Sequence, residues 1–357
     1  MPRATTPRRA SVADVARQAG VSVGTVSNVL NRPETVAPAT RARVEAAIEE
    51  LSFVPNGLAR QLRAGTITTV GAILLDIRNP FFTEVARGIE DRLTAADHTL
   101  MLASSDDDPA REARYLRLFE EKGVVGLLVV PGSLDVEPLR AVQRRGVRVV
   151  LLDAASSSPD LSSVSVDDAA GGALAARHLL ELGYRRLTFL NGPHTIRQCA
   201  DRLRGIREAV ADEGLDPDVV VEEVRLTSLD AGGGDVAMGR LVDASGGRPP
   251  EAVLCVNDLV AVGVQRALRR LGGTALLSRV ACVGYDDIDI ASELAMPLTS
   301  VRQPALEMGY RAADLLLARG PGEPAEHVVF QPELVVRASS LVPGRARAGA
   351  GGSSPTS

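Results

Sequence analysis

The chain has 357 residues, of which 45% are hydrophobic and 24% charged, with a net charge of -5. That length predicts two or three folding units, and the composition is that of an ordinary globular protein. It contains no run of about 18 uncharged apolar residues, so no transmembrane helix is expected, and its basic N-terminus lacks the apolar stretch of a secretory signal, which predicts a cytoplasmic protein.

Residues 1–10 hold two prolines and three arginines without periodicity and read as a flexible arm. Residues 11–30 read as two short helices with a break. In SVADVARQAG, Val12, Val15, Ala16 and Ala19 recur at helical spacing, with Ser11 as the cap. Gly20 stops that helix because glycine readily takes the left-handed conformation. Ser22 can cap the next helix, whose apolar positions are Val26, Val29 and Leu30. A third helix is predicted over Pro38–Leu51, completing a small all-α unit with a minimal core.

Within this unit, GVSVG (Gly20 to Gly24) matches G-x-S-x-G, the nucleophile elbow of serine hydrolases. An elbow needs a strand before its serine, and the preceding DVARQAG is helical by pattern. All four histidines (His98, His178, His194, His327) also fall far downstream. The segment fits a helix-turn-helix better. Gly20-Val21-Ser22 forms the tight turn, and Thr25, Ser27 and Asn28 project from the second helix away from Val26 and Val29. Hydroxyls and amides there suit phosphate oxygens and base edges. An ordinary helical hairpin with polar surface residues remains open at this point. Charge favours nucleic acid. Nine arginines and five acids give residues 1–65 a charge of +4, leaving -9 for the rest.

PNGLARQLRAG (55–65) is too poor in apolar residues to fold alone, and reads as a linker or as a helix that needs a partner. From Thr68 apolar runs alternate with helical stretches: VGAILLD, TLMLASS, VVGLLVV, VRVVLLD, LTFLNG, AVLCVND and VACVGYDD. Such alternation predicts a mainly parallel sheet covered on both faces. Its extent predicts two doubly wound lobes, the second beginning at a crossover after Asp153. Asp76, Asp153, Asp258 and Asp286 each follow an apolar run directly. Ligands in open α/β sheets bind beyond the carboxyl ends of strands, so the four are expected to line one crevice. The alternative is that each caps the following helix. Cys199, Cys255 and Cys282 are expected to be buried free thiols. Neither they nor the histidines show metal-ligand spacing, and no metal or cofactor is expected. The tail RARAGAGGSSPTS reads as disordered.

SVADVARQAGVSVGTVSNVLNRPETVAPATRARVEAAIEELSFVPNGLARQLR resembles the DNA-binding head of the LacI/GalR family of bacterial transcription regulators. The similarity runs on through TTVGAILLDIRNPFFTEVARGIED to PELVVRASS, nearly the whole chain. It implies an α/β fold with a small all-α helix-turn-helix head, a hinge, and two parallel-sheet lobes like a periplasmic sugar-binding protein. The implied boundaries are an arm at 1–10, a DNA-binding domain at 11–54, a hinge at 55–66, an effector-binding and dimerisation module at 67–342, and a tail at 343–357. The tail lacks an apolar heptad helix, which favours a dimer over a tetramer.

The resemblance further implies a non-enzymatic homodimeric repressor of double-stranded operator DNA. Positions matching family DNA contacts are Ser11, Ser22, Val23, Gly24, Thr25, Ser27, Asn28 and Asn31, with Ala59, Arg60 and the minor-groove wedge Leu62 in the hinge. Asn28 stands where many members have arginine, and asparagine suits adenine rather than guanine. Positions matching effector contacts are Asp153, Arg202, Asp258, Asp286 and Gln303, with Phe81 and Phe82 as an apolar wall. The implied effector is a small molecule, a carbohydrate above all, with a purine-type or protein-cued repressor as the alternative. Leu226 stands where some sugar-responsive members have an aromatic ring, which leaves Phe81, Phe82 and Tyr285 as the rings available for stacking. A solute-binding transport protein of the same lobed fold is the rival reading; it would need export and has no use for the head.

Overall fold

The computed structural model describes residues 10–53, 68–156, 158–318 and 323–342. The arm up to residue 9, the hinge with Ala59, Arg60 and Leu62, and the tail lie outside the described residues. The chain divides into two compact units, Met1–Thr68 and Thr69–Ser357.

In the first unit, α1 (Val12–Ala19) starts at a capping box. Ser11 Oγ accepts from Asp14 N, and Asp14 Oδ2 accepts in return from Ser11 N at 2.9 Å, so two otherwise orphaned donors are satisfied. Gly20 ends the helix at φ +64°, a left-handed conformation that costs a glycine nothing. Ser22 caps α2 (Val23–Asn31), its Oγ accepting from Thr25 N at 3.1 Å. α3 (Pro38–Glu50) opens with proline, which needs no hydrogen-bond partner for its nitrogen at a helix start. The three helices close on Val15, Ala16, Ala19, Val26, Val29, Val44, Ala47 and Phe53.

The second unit has two lobes. The first contains β1 (Thr69–Leu74), α4 (Pro80–Thr94), β2 (Thr99–Ser104), α5 (Pro109–Glu121), β3 (Gly126–Val129), α6 (Glu137–Arg144), β4 (Arg148–Leu152) and β5 (Ser162–Val166). The second contains α7 (Asp168–Glu181), β6 (Leu187–Asn191), α8 (Arg197–Asp212), α9 (Pro217–Val220), β7 (Val221–Arg225), α10 (Ala231–Ala244), β8 (Ala252–Cys255), α11 (Asp258–Leu277), β9 (Ala281–Asp286), α12 (Ile290–Glu293) and β10 (Thr299–Arg302). Helix α11 is broken at Gly272 and Gly273. The chain then returns to the first lobe for α13 (Ala305–Ala318) and β11 (His327–Phe330), and ends in the second with β12 (Glu333–Val335).

Among the described residues each sheet has six strands, in the orders β11-β5-β4-β3-β1-β2 and β12-β10-β9-β8-β6-β7. All pairings are parallel except β10 with β12. The strand-helix alternation therefore reads correctly, but the single expected crossover becomes three: after β5, after β10 and after β11. The later two are invisible in the alternation because each links elements of ordinary length by a short connection.

Three helix pairs pack at close range through reciprocal glycines. These are α4 with α13 (Gly88, Gly309), α7 with α8 (Gly172, Gly205) and α10 with α11 (Gly234, Gly263). A Cβ at any of the six would lie between 1.8 and 2.2 Å from a backbone oxygen of the facing helix. No side chain of any size fits there.

Candidate functional site

The head exposes the beginning and one face of α2. Ser22, Val23, Gly24, Asn28 and Asn31 are exposed, Thr25 and Ser27 are half-buried, and Val26 and Val29 point into the core. Val23 is 50% exposed. Asn31 is partly committed, since its Nδ2 donates to Ser27 O at 2.8 Å and Ser27 Oγ at 3.2 Å. Asn28 makes no side-chain hydrogen bond among the described residues. Ser11 is occupied by its capping box, its hydroxyl donating to Asp14 Oδ2 at 2.6 Å. Ser22 follows a helix and its oxygen is taken up by the Thr25 N–H, so nothing of a nucleophile elbow exists around it.

The lobes meet at the carboxyl ends of their strands. An outer cavity of about 290 Å³ is lined by Asp76, Arg78, Phe82, Asp106, Leu226 and Asp230 among others. A smaller inner cavity of about 50 Å³ adds Phe81, Asp153, Gln198, Arg202, Asp286 and Gln303. The two share Leu75, Asn79, Phe82, Ile196, Leu229 and Asn257.

At the inner end one buried cation faces several buried carboxylates. Arg202, on α8, donates Nε to Asp168 Oδ1 at 2.8 Å and Nη1 to the Val256 carbonyl at 2.5 Å. Its guanidinium carbon lies 3.5 Å from the centroid of the Tyr285 ring. Asp286 accepts from Asn79 Nδ2 at 2.9 Å and Gln303 Nε2 at 2.8 Å. Asp153 accepts from Gln198 Nε2 at 2.8 Å through Oδ2, while its Oδ1 is buried without a partner. Burial lowers the Arg202 pKa, but Asp168 and the other acids around it outweigh burial and raise it. Burial, then the charge of Asp168, pushes Asp153 up to about 8. Burial pushes Asp286 up to about 6 against the opposing pull of Arg202, Asn79 and Gln303.

These shifts set a pH dependence. An unfolded aspartate titrates near 3.9, so between that value and about 8 these two carboxyls hold more protons in the folded protein than in the unfolded chain, opposed in part by His178, whose pKa burial lowers. Stability is therefore expected to fall as pH rises through 6 and 8. Urea midpoints measured across that window check it, and Asp153→Asn should flatten the upper half of the slope. A wild-type profile as flat as the variant's would contradict the buried ionisation.

Of the residues expected to meet an effector, Phe81, Phe82, Asp153, Arg202, Asp286 and Gln303 line the inner cavity together. Asp258 does not. It is fully buried, and its oxygens accept from Ser300 Oγ at 2.6 Å and Ile288 N at 2.9 Å. The cleft residue is its neighbour Asn257, which caps α11 by accepting from Val260 N at 2.8 Å and reaches the Leu229 carbonyl through Nδ2. As the first helical residue, Asp258 turns inward beneath the strand ends, while the cap stays at the mouth. Tyr285 likewise lies under Arg202 and lines neither cavity. The sequence reading also missed Asn79 and Gln198. The Asn-Pro start of α4 marks Asn79 as a cap, and nothing local marks Gln198. Among the described residues no helix is long and apolar enough to cross a membrane, and no cluster of three His, Cys, Asp or Glu could hold a metal ion. The three cysteines are buried and free.

Comparison with known proteins gives two family matches: residues 11–56 match bacterial regulatory proteins of the lacI family, and residues 176–340 a periplasmic binding protein-like domain. The chain is 32% identical to the HTH-type transcriptional repressor PurR of Aliivibrio fischeri (strain MJ11) over 93% of its own length and 98% of the relative's. It is 34% identical to the ribose operon repressor of Escherichia coli (strain K12), over 94% and 97%. A crystal structure of the lac repressor dimer bound to operator and the anti-inducer ONPF matches with a TM-score of 0.72 at 25% identity, covering 93% of this chain and 99% of that one.

Proposed function

Because the chain belongs to the LacI family of bacterial regulatory proteins, we infer that it is a sequence-specific DNA-binding repressor whose operator affinity is set by a small molecule held between its lobes. The observation that carries this reading is the union in one chain of a head with an exposed polar helix face and a cleft lined by buried hydrogen-bonding side chains. The chain acts by binding rather than catalysis, in the cytoplasm, as a homodimer on a pseudo-palindromic site.

In this reading α2 enters the major groove. Its N-terminus, with Ser22, Val23, Gly24 and Thr25, meets phosphate, because free N–H groups and the helix dipole favour an anion there. Ser27, Asn28 and Asn31 approach base edges, and Ser11 meets the backbone from the start of α1. Ala59, Arg60 and Leu62 serve the minor groove. Asp153, Arg202, Asp286 and Gln303, with Asn257 in place of Asp258, hold the effector against Phe81 and Phe82. The effector shifts the balance between lobe arrangements by its different affinity for each, which couples the cleft to DNA. A carbohydrate is the effector class best supported, given the relative that represses a ribose operon.

Fluorescence anisotropy on an operator series tests the DNA half. With Asn28 reading adenine, exchanging that base should cost roughly 1–3 kcal/mol, and Asn28→Arg should move the preference to guanine. A strong guanine preference in the wild type, lost in Asn28→Ala, would sink this assignment.

A further inference from the structure

Two buried carboxyls stand where the lobes meet, each held by a side chain of the other lobe. Asp153, which follows β4 in the first lobe, accepts from Gln198 of the second at 2.8 Å through Oδ2 and at 2.5 Å through its own carbonyl. Asp286, which ends β9 in the second lobe, accepts from Asn79 of the first at 2.9 Å. Both residues have positive backbone φ, at +51° and +106°. Residues with a side chain rarely adopt such values, so the chain holds these carboxyls in the junction against local preference.

Ionised, neither carboxyl has a counter-charge of its own. Among the described residues Arg202 is the one buried arginine, and its ion-pair partner at 2.8 Å is Asp168. Among the same residues neither Asp153 nor Asp286 makes an ion pair. Asp258, Tyr285 and Cys199 stay neutral near neutrality, because burial pushes each of them up. Asp287 is answered by Arg302 and Arg337. Toward solvent Arg78 is paired with Asp76 and Arg111 with Asp106. Glu84, Asp107, Asp230, Asp289 and Glu307 line the flanking cavities and bring only negative charge. Ionising both carboxyls therefore puts two unanswered charges in a dry junction, a cost that water removes once the lobes part. A proton on Asp153 does the opposite. Its Oδ1, a buried acceptor without a partner, gains an O–H, and the same inner cavity presents Gln303 Oε1, also without a partner. The upward pKa shifts of both carboxyls run in the same direction.

We propose that Asp153 and Asp286 form a proton-operated clasp between the lobes. Protonated, they let the lobes close through the Gln198 and Asn79 bridges; ionised, they drive the lobes apart. The closed form holds protons that the open, hydrated form releases. Closure is therefore favoured at low pH and lost as pH rises through about 6 and then about 8. The clasp needs neither effector nor operator. Where lobe arrangement sets operator affinity, as in the function proposed above, that affinity follows pH as well.

Spin-label distances in the full chain test this. Labels go on Ala110→Cys of α5 and Thr227→Cys after β7, exposed positions on opposite lobes, while the three native cysteines are buried. Labelled chain is diluted with unlabelled chain so that one pair is read per dimer. From about pH 5 to about pH 8.5 the ratio of short to long distances should fall about tenfold or more, the effect of one proton released over one pH unit. Circular dichroism should stay unchanged across that range. Asp153→Asn should keep only the part of the shift near 6, Asp286→Asn only the part near 8, and the double variant should stay closed throughout. A wild-type ratio that does not move with pH overturns the clasp, and so does a double variant that opens as far as the wild type. Should the double variant not fold, the single variants decide alone. Either of them keeping the full wild-type shift overturns the proposal, and a reduced shift in each supports it.

Discussion

Arg202→Met is expected to abolish effector binding and to lower stability by roughly 3–5 kcal/mol, the cost of stranding a buried charge. Arg202 is buried, bonded to Asp168 and the Val256 carbonyl, and stacked on Tyr285. Its charge also opposes the upward shifts of Asp153 and Asp286. Methionine fills similar space but leaves the Asp168 carboxylate without a partner in a dry site. Equilibrium unfolding in urea measures the loss. The double variant Arg202→Met with Asp168→Asn should recover part of the stability, because the stranded charge is gone, but none of the ligand binding. Arg202→Lys should fall between, since an ammonium keeps the charge but not the planar stack or the fork of donors. A single variant with a wild-type midpoint would show that the charge cluster does not hold the lobe together.

Gly205→Ala is expected to have the second large effect. Its new Cβ would stand 1.8 Å from the Ala169 carbonyl oxygen, so α7 and α8 must move apart. Overpacking of this kind costs typically about 1–3 kcal/mol. The functional consequence follows from chain position. Gly205 lies three residues after Arg202 on α8, and Gly172 packs on the Arg202 carbonyl from α7. Moving α8 therefore displaces Gln198 and Arg202 from Asp153 and Asp168. Gly71→Ala is the matched control: its Cβ would meet the buried Phe119 ring at 2.6 Å, between β1 and α5, a helix that lines neither cavity. Both variants should lose stability by urea titration, but only Gly205→Ala should lose effector affinity beyond what its unfolded fraction explains. Equal affinities for the two would break the link between this crossing and the cleft.

The head was legible in the sequence because its determinants act within a few residues of one another. Ser11 caps α1 across three positions, Gly20 takes a left-handed turn, and Ser22 caps α2 across three more. The G-x-S-x-G match misleads only if the preceding helix is ignored. The two lobes were legible as well, because parallel strands buried on both faces must be apolar runs separated by helices. Phe81, Phe82, Asp153, Arg202, Asp286 and Gln303, named as effector contacts from the family resemblance, line one cavity.

Other features were decided by the tertiary structure alone. In Asn257-Asp258 the aspartate looks like the cleft residue, yet the cap faces the cavity and the aspartate is tied to Ser300 on another strand. Which of two neighbours points inward depends on what the helix start packs against, and the dipeptide carries no record of that. The chain recrosses between lobes after β10 and β11 through connections too short to stand out. Asn79 meets Asp286 across 207 positions, and the reciprocal glycines pair helices whose contact no local pattern announces. Short-range rules govern caps, turns and strand burial, and those the sequence determined. Long-range packing selects among side chains that are locally equivalent, so only the folded structure could decide them.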